Sequence, residues 1–81
     1  MQIDHGMTVR LGMPFADAKV TSVLYNGREL QEDPADGYTL TKCGSWLFAD
    51  LHIPPEKVAE IAIAAVTYEH RMRISGIVEF E

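Results

Sequence analysis

The residues best suited to chemistry are histidines and carboxylates that stand close together in the chain. Asp50 and His52 are two residues apart, and Glu69 directly precedes His70. In a strand, residues two apart share a face, so Asp50 and His52 could bind one ion, with His70 adding a ligand from a neighbouring hairpin. Nitrogen and oxygen ligands of this kind suit zinc or another transition metal. Because the segments are distant and follow no motif spacing, we predict a solvated strand edge, a polar turn and no cofactor; a metal site at Asp50, His52 and His70 is the alternative.

Other catalytic arrangements have less support. Asp50 alone interrupts an apolar run, which favours either a buried acid or base or simply the point where that strand meets water. Cys43 is the only cysteine, so no disulfide forms within the chain, and we predict an inert buried thiol there. The segment from Glu29 to Asp36 is acidic and predicts solvent-exposed charge, with a weak calcium site as the alternative. We therefore predict that the protein is not an enzyme.

The elements that would position these residues are short strands. Asn26-Gly27 follows the apolar run 20–25 and predicts a tight hairpin turn, because these two residues tolerate positive φ best. Alternation predicts further strands at 8–11, 38–43, 46–53 and from 71 to 80, and Gly12, Pro14 and Asp17 are interpreted as the residues that break the first of them. Both faces of 46–53 begin apolar, so we expect its first half to be covered on both sides.

The segment after Pro54-Pro55 is ambiguous. Pro55 suits the first position of a helix, and we predict one helical turn over 55–60. A strand is then predicted from Ile61 to about Glu69 because of its β-branched residues. A helix that continues to Ala65 is the alternative. Glu69-His70-Arg71 would form the tip of the last hairpin.

About six strands with frequent turn signals predict an all-β chain, a small antiparallel β-sandwich or barrel. The succession of 25–30, Tyr38-Thr39-Leu40 and 44–53 resembles small bacterial and phage immunoglobulin-like modules. This resemblance covers about half the chain and implies a sandwich, although the cysteine pair of antibody domains is absent. We expect one domain over 1–81, with 1–7 as an extended N-terminal arm.

Composition narrows the class of protein further. The chain has 81 residues, 47% of them hydrophobic, and a net charge of −5, which is typical of a globular domain. The negative charge argues against partners such as nucleic acid or an anionic membrane surface. The N-terminus shows neither a basic nor an apolar signal region, so we predict a soluble protein made in the cytoplasm without a signal peptide.

Apolar residues outside the expected core predict a protein partner. Methionine-rich irregular segments adapt well to partner surfaces, and exposed aromatic rings anchor interfaces. We therefore predict a structural or interaction module that acts in a homo-oligomer or larger assembly, such as a virion accessory, decoration or tail component. A carbohydrate- or ligand-binding module or an accessory subunit of a larger enzyme is the alternative, and a small metal-dependent protein is the third. The predicted partner contacts are Met7, Met13, Phe15 and Trp46.

Overall fold

The computed structural model describes residues 6–59, 61–70 and 74–80, and in these ranges the chain is all-β. The all-β prediction is confirmed, with seven strands rather than about six because a two-residue strand follows the Asn-Gly turn. The predicted helical turn is a 3-10 turn, Pro55–Lys57. The strands are β1 (Met7–Met13), β2 (Lys19–Tyr25), β3 (Arg28–Glu29), β4 (Gly37–Cys43), β5 (Trp46–Ile53), β6 (Ala64–His70) and β7 (Ile74–Phe80).

The strands form two antiparallel sheets. One has three strands in the order β1-β5-β4, and the other has four in the order β3-β2-β6-β7. Two tight turns join neighbours: Asn26 and Gly27 have φ of 50° and 82° between β2 and β3, and Gly44 has φ of 61° between β4 and β5. Positive φ at both Asn26 and Gly27 agrees with the hairpin turn predicted from the sequence. The pairing of β1 with β5, by contrast, joins strands far apart in the chain.

The core lies between the two sheets. Alternate residues of β1, β5 and β6 and of the second half of β2 are buried there, as period-2 patterning requires. Met13, Leu51, Val23 and Val66 are the largest side chains that are fully buried. The core cluster consists of Val9, Leu11, Met13, Val23, Tyr25, Leu30, Leu47, Ala49, Leu51, Ile53, Ala64, Val66 and Tyr68.

The segment between the 3-10 turn and β6 differs from both sequence interpretations. The strand begins at Ala64, so the alternative of a helix that continues to Ala65 is wrong. The predicted strand start at Ile61 is three residues before the observed one. Asn26 fixes the intervening chain: its side-chain amide donates to the Ile61 carbonyl (3.2 Å), and its Oδ1 accepts from the Ile63 amide (2.6 Å). These bonds take the place of helical or strand pairing there. Of the predicted hairpin tip, Glu69 and His70 instead end β6, where they pair with Ser75 and Ile74. Glu60 and Arg71 lie outside the described residues.

Two burial predictions are wrong for one reason. Cys43 is exposed, and Trp46, its register partner, is 43% exposed. Both residues point away from the core, and nothing among the described residues covers that face. The predicted arm 1–7 lies mostly outside the described residues, and its last residue, Met7, instead begins β1 and pairs with Ile53.

Candidate interaction face

The outward side of the three-stranded sheet carries most of the residues that the sequence singled out. Because the odd-numbered residues of β5 fill the core, its even-numbered residues point outward. The register adds outward residues from the flanking strands β1 and β4. We call this surface the aromatic face; it comprises Thr8, Arg10, Gly12, Thr39, Thr41, Cys43, Trp46, Phe48, Asp50 and His52.

Two aromatic rings form its flattest part. Trp46 and Phe48 stack with their ring planes 10° apart and their centroids 6.0 Å apart. Gly12 lies opposite Phe48 in the register, and a Cβ atom at Gly12 would come within 2.9 Å of Phe48 Cε1 and 3.2 Å of Trp46 Cε3. The missing side chain at Gly12 therefore lets both rings lie close to the sheet. The result is a partly exposed aromatic surface with Trp46 at its end.

A buried carboxylate holds an arginine beside this aromatic pair. Arg10 donates from Nε to Asp50 Oδ1 (2.6 Å) and from Nη2 to Asp50 Oδ2 (3.1 Å), and its Cζ lies 4.9 Å from the centre of the Phe48 ring. The hydrogen bond and the charge of Asp50 raise the pKa of Arg10. The Arg10 side chain is 57% exposed and that of Asp50 only 10%. The face therefore presents the guanidinium to solvent and hides its counter-charge.

His52 lies at the opposite end of the face from Trp46. Its Nε2 is 2.8 Å from Thr39 Oγ1, so one of the two donates to the other according to the imidazole tautomer. A depression of about 330 Å³ opens beside it, lined among others by Thr8, Ala35 and Pro54. Its outline is open and shallow, which suits a contact surface better than an enclosed ligand site.

The three metal candidates do not share a site. Asp50 and His52 lie on the aromatic face as predicted, but Asp50 is bound by Arg10 and His52 by Thr39. His70 is 9% exposed on the inward side of β6, where its ring stacks on Phe15 at 3.8 Å between centroids. Its Nδ1 has no hydrogen-bond partner among the residues that the structure describes. Within residues 6–59, 61–70 and 74–80, no three potential metal ligands cluster.

The four predicted partner contacts occupy different environments. Met13 is fully buried in the core, so its side chain is not available to a partner, and Phe15 is partly buried against the core and His70. Gly12 had been interpreted as a strand breaker, but β1 continues through it to Met13. Met7 is partly buried at the start of β1. Trp46 remains as the exposed candidate.

A second exposed apolar surface lies on the outward side of the four-stranded sheet. Ile77 is 63% exposed and pairs with Thr67, and Ile63, two residues before Ala65, is 53% exposed. The sequence contains a signal for this surface, because alternation places the apolar Ile77 on the otherwise polar, outward side of its strand. We call this surface the isoleucine face; its apolar centre comprises Leu24, Ile63, Ala65, Thr67 and Ile77.

The acidic segment is part of the structure of its loop. Asp33 Oδ1 accepts hydrogen bonds from the backbone amides of Ala35 (2.7 Å) and Asp36 (3.0 Å), which lower the pKa of Asp33. Asp36 pairs with Lys57 and Arg28, and these partners lower its pKa. Both carboxylates thus have local partners, and the loop is joined to the 3-10 turn through Lys57.

Comparisons with protein families, curated proteins and solved structures find no match to this chain. Among the described residues, no helix has the length and apolar character needed to cross a membrane. Function is therefore inferred from the two exposed faces.

Proposed function

We propose that this chain is a non-enzymatic interaction module that works as a subunit of a homo-oligomer or larger assembly. The observation that carries the proposal is the Trp46–Phe48 stack, which is held flat over Gly12 on an open sheet face. Large aromatic rings are typical anchors of protein interfaces, where a ring fills a partner's surface and excludes water. A virion accessory, decoration or tail component is one kind of assembly that would use such a subunit.

The energy available at Trp46 is large enough to matter. Trp46 is 43% exposed, and covering that area would contribute about 2 kcal/mol at the usual coefficient for apolar surface. Phe48 and the methylenes of Arg10 adjoin it and extend the contact. One partner can therefore bury a continuous aromatic and aliphatic strip.

The polar groups of the face support binding rather than catalysis. Asp50 is occupied by both donors of Arg10, and His52 shares a hydrogen bond with Thr39. The carboxylate and the imidazole of this face are thus both already engaged with a neighbour. Such a pre-ordered surface loses little side-chain entropy when a partner binds.

The test is the mass of the purified protein in solution, and two variants provide its controls. We expect light scattering and native mass spectrometry to give masses above the monomer, rising with concentration. Trp46→Ser should shift the distribution to monomer. Leu40→Ser should not, because Leu40 is similarly exposed (40%) but points to the opposite side of the same sheet. A wild-type monomer throughout the concentration range would refute assembly of this chain with itself.

Carbohydrate binding is a second candidate because the exposed ring of Trp46 lies on the same sheet face as the exposed Arg10 guanidinium. Sugar rings stack on such surfaces while polar neighbours bind their hydroxyls. A tyrosine beside Trp46 would strengthen this candidate, but Tyr38 points to the core side and Tyr68 is buried. Since Trp46 is the only tryptophan, oligosaccharides should change its fluorescence and a linear polyol should not. Unchanged emission with every sugar would remove this candidate.

A further inference from the structure

The two exposed faces lie on opposite sides of the sandwich, and they differ in shape. The aromatic face has flat rings and one guanidinium, whereas the isoleucine face has branched aliphatic side chains. Flat rings pack well against protruding methyl groups. A copy that uses both faces has two different contact surfaces that point in opposite directions.

Charge makes the isoleucine face acidic. Glu29 lies opposite Leu24, and Glu79 lies opposite Ala65, so a carboxylate stands at each side of the apolar centre. Both carboxylate residues are exposed. At the end of the sheet Glu69 pairs in register with Lys19, which adds one acid and one base. Among the described residues, three carboxylates and one ammonium group therefore border this surface.

The aromatic face has the opposite exposed charge. Arg10 is the exposed member of its ion pair with Asp50, whose carboxylate is largely covered. Contact between two aromatic faces would bring two guanidinium groups together, and like charges repel. Contact between two isoleucine faces would bring carboxylates together, with the same result. An aromatic face on an isoleucine face instead sets the guanidinium among carboxylates, which favours that pairing.

We propose that copies of this chain associate head to tail, the aromatic face of one on the isoleucine face of the next. This inference rests on the proposed function, since it names the partner and geometry of the same aromatic surface. Contacts between two different surfaces on opposite sides of a subunit leave one of each free, so association continues into open chains or closed rings. A two-fold dimer would use one face only.

The size of the face sets the expected strength. Three strands of about eight residues cover on the order of 350 Å² per subunit. A contact between two such faces is smaller than a standard stable interface. Association should therefore depend on concentration and produce a distribution of species rather than one fixed oligomer.

The experiment uses one variant for each face, alone and mixed. We expect native mass spectrometry and sedimentation to show a ladder of wild-type species. Trp46→Ser and Ile77→Ser should each be monomeric, with self-association weakened roughly tenfold or more. An equimolar mixture should form a heterodimer and nothing larger, because one intact aromatic face and one intact isoleucine face remain. Circular dichroism establishes that each variant is folded.

The outcomes separate this inference from the proposed function. If Trp46→Ser is monomeric but Ile77→Ser assembles like the wild type, the head-to-tail contact is refuted while assembly through the aromatic face stands. If the wild type is a monomer throughout, the head-to-tail contact and every other assembly of this chain with itself are refuted, while a role in an assembly with a different protein stands. Glu79→Lys gives a second readout that leaves the apolar centre intact: it should weaken association, and an unchanged ladder would contradict the charge argument.

Discussion

Gly12 and Gly76 each lie beneath an aromatic ring, one exposed and one buried, and replacing each with alanine should have opposite consequences. A Cβ at Gly76 would come within 2.6 Å of Tyr68 Oη and 2.7 Å of its Cζ. Ordinary contact needs about 3.5 Å, so the ring must move by about 0.9 Å. Tyr68 is only 8% exposed and lies beside Phe15, so this movement disturbs the core.

The magnitudes follow from the two environments. Overpacking a core costs about 1–3 kcal/mol, and a glycine-to-alanine change returns about 0.4–1 kcal/mol by restricting the unfolded chain. Gly76→Ala should therefore lower the unfolding free energy by about 1–2 kcal/mol, which for a chain of this length lowers Tm by about 5–15 °C. At Gly12 the ring of Phe48 can move outward into solvent, so Gly12→Ala should change stability by less than about 0.5 kcal/mol.

Thermal unfolding followed by circular dichroism measures both variants, and Trp46 emission reports the aromatic face. We expect Gly12→Ala to shift the emission and weaken self-association while Tm stays near the wild-type value. Gly76→Ala should lower Tm, and adding Tyr68→Phe should recover part of the loss because the nearest atom is removed. Equal loss of stability at the two sites, or a neutral Gly76→Ala, would refute this account of the rings.

Three further predictions concern the turn, the acidic loop and the thiol. Asn26→Gly keeps the positive φ but loses the two side-chain bonds, so urea unfolding should show a loss of about 1 kcal/mol, and Asn26→Ala a larger loss because alanine disfavours that φ. Since the pKa values of Asp33 and Asp36 are lowered by folding, their stabilisation is present above the ordinary aspartate pKa and is lost as pH falls through the lowered values. Asp33→Asn with Asp36→Asn should flatten the acid limb of a plot of Tm against pH, and an unchanged slope would count against these bonds. Cys43 is exposed and should react with an aromatic disulfide reagent in the folded protein; labelling only in denaturant would contradict its position.

Local signals in the sequence were enough to predict the ends of the strands that have turn residues next to them. Gly44 and Pro54 bracket β5, and the predicted bounds 46–53 match it. Asn26-Gly27 likewise located the end of β2. In these segments the backbone preference of one or two residues determines where pairing stops, so distant contacts add little.

The candidate site depended on contacts that the sequence does not show. Arg10 and Asp50 are 40 residues apart and meet only because β1 pairs with β5. Cys43 was predicted to be buried because alternation does not reveal which side of β4 faces the core. Gly12 was interpreted as a breaker because its neighbours in space, the rings of Phe48 and Trp46, belong to another strand. Register and strand order, which are tertiary properties, decided each of these outcomes.

The strand order also determines when the fold can form during synthesis. Among the described strands, β1 pairs only with β5, and β2 gains its long partner only when β6 has been made. Until residue 70 has left the ribosome, the core sides of β1 and β2 lack the completed sheets that cover them in the fold. A domain dominated by such non-local pairings is expected to fold in milliseconds to seconds rather than microseconds. A nascent chain is therefore vulnerable to aggregation until β6 has emerged.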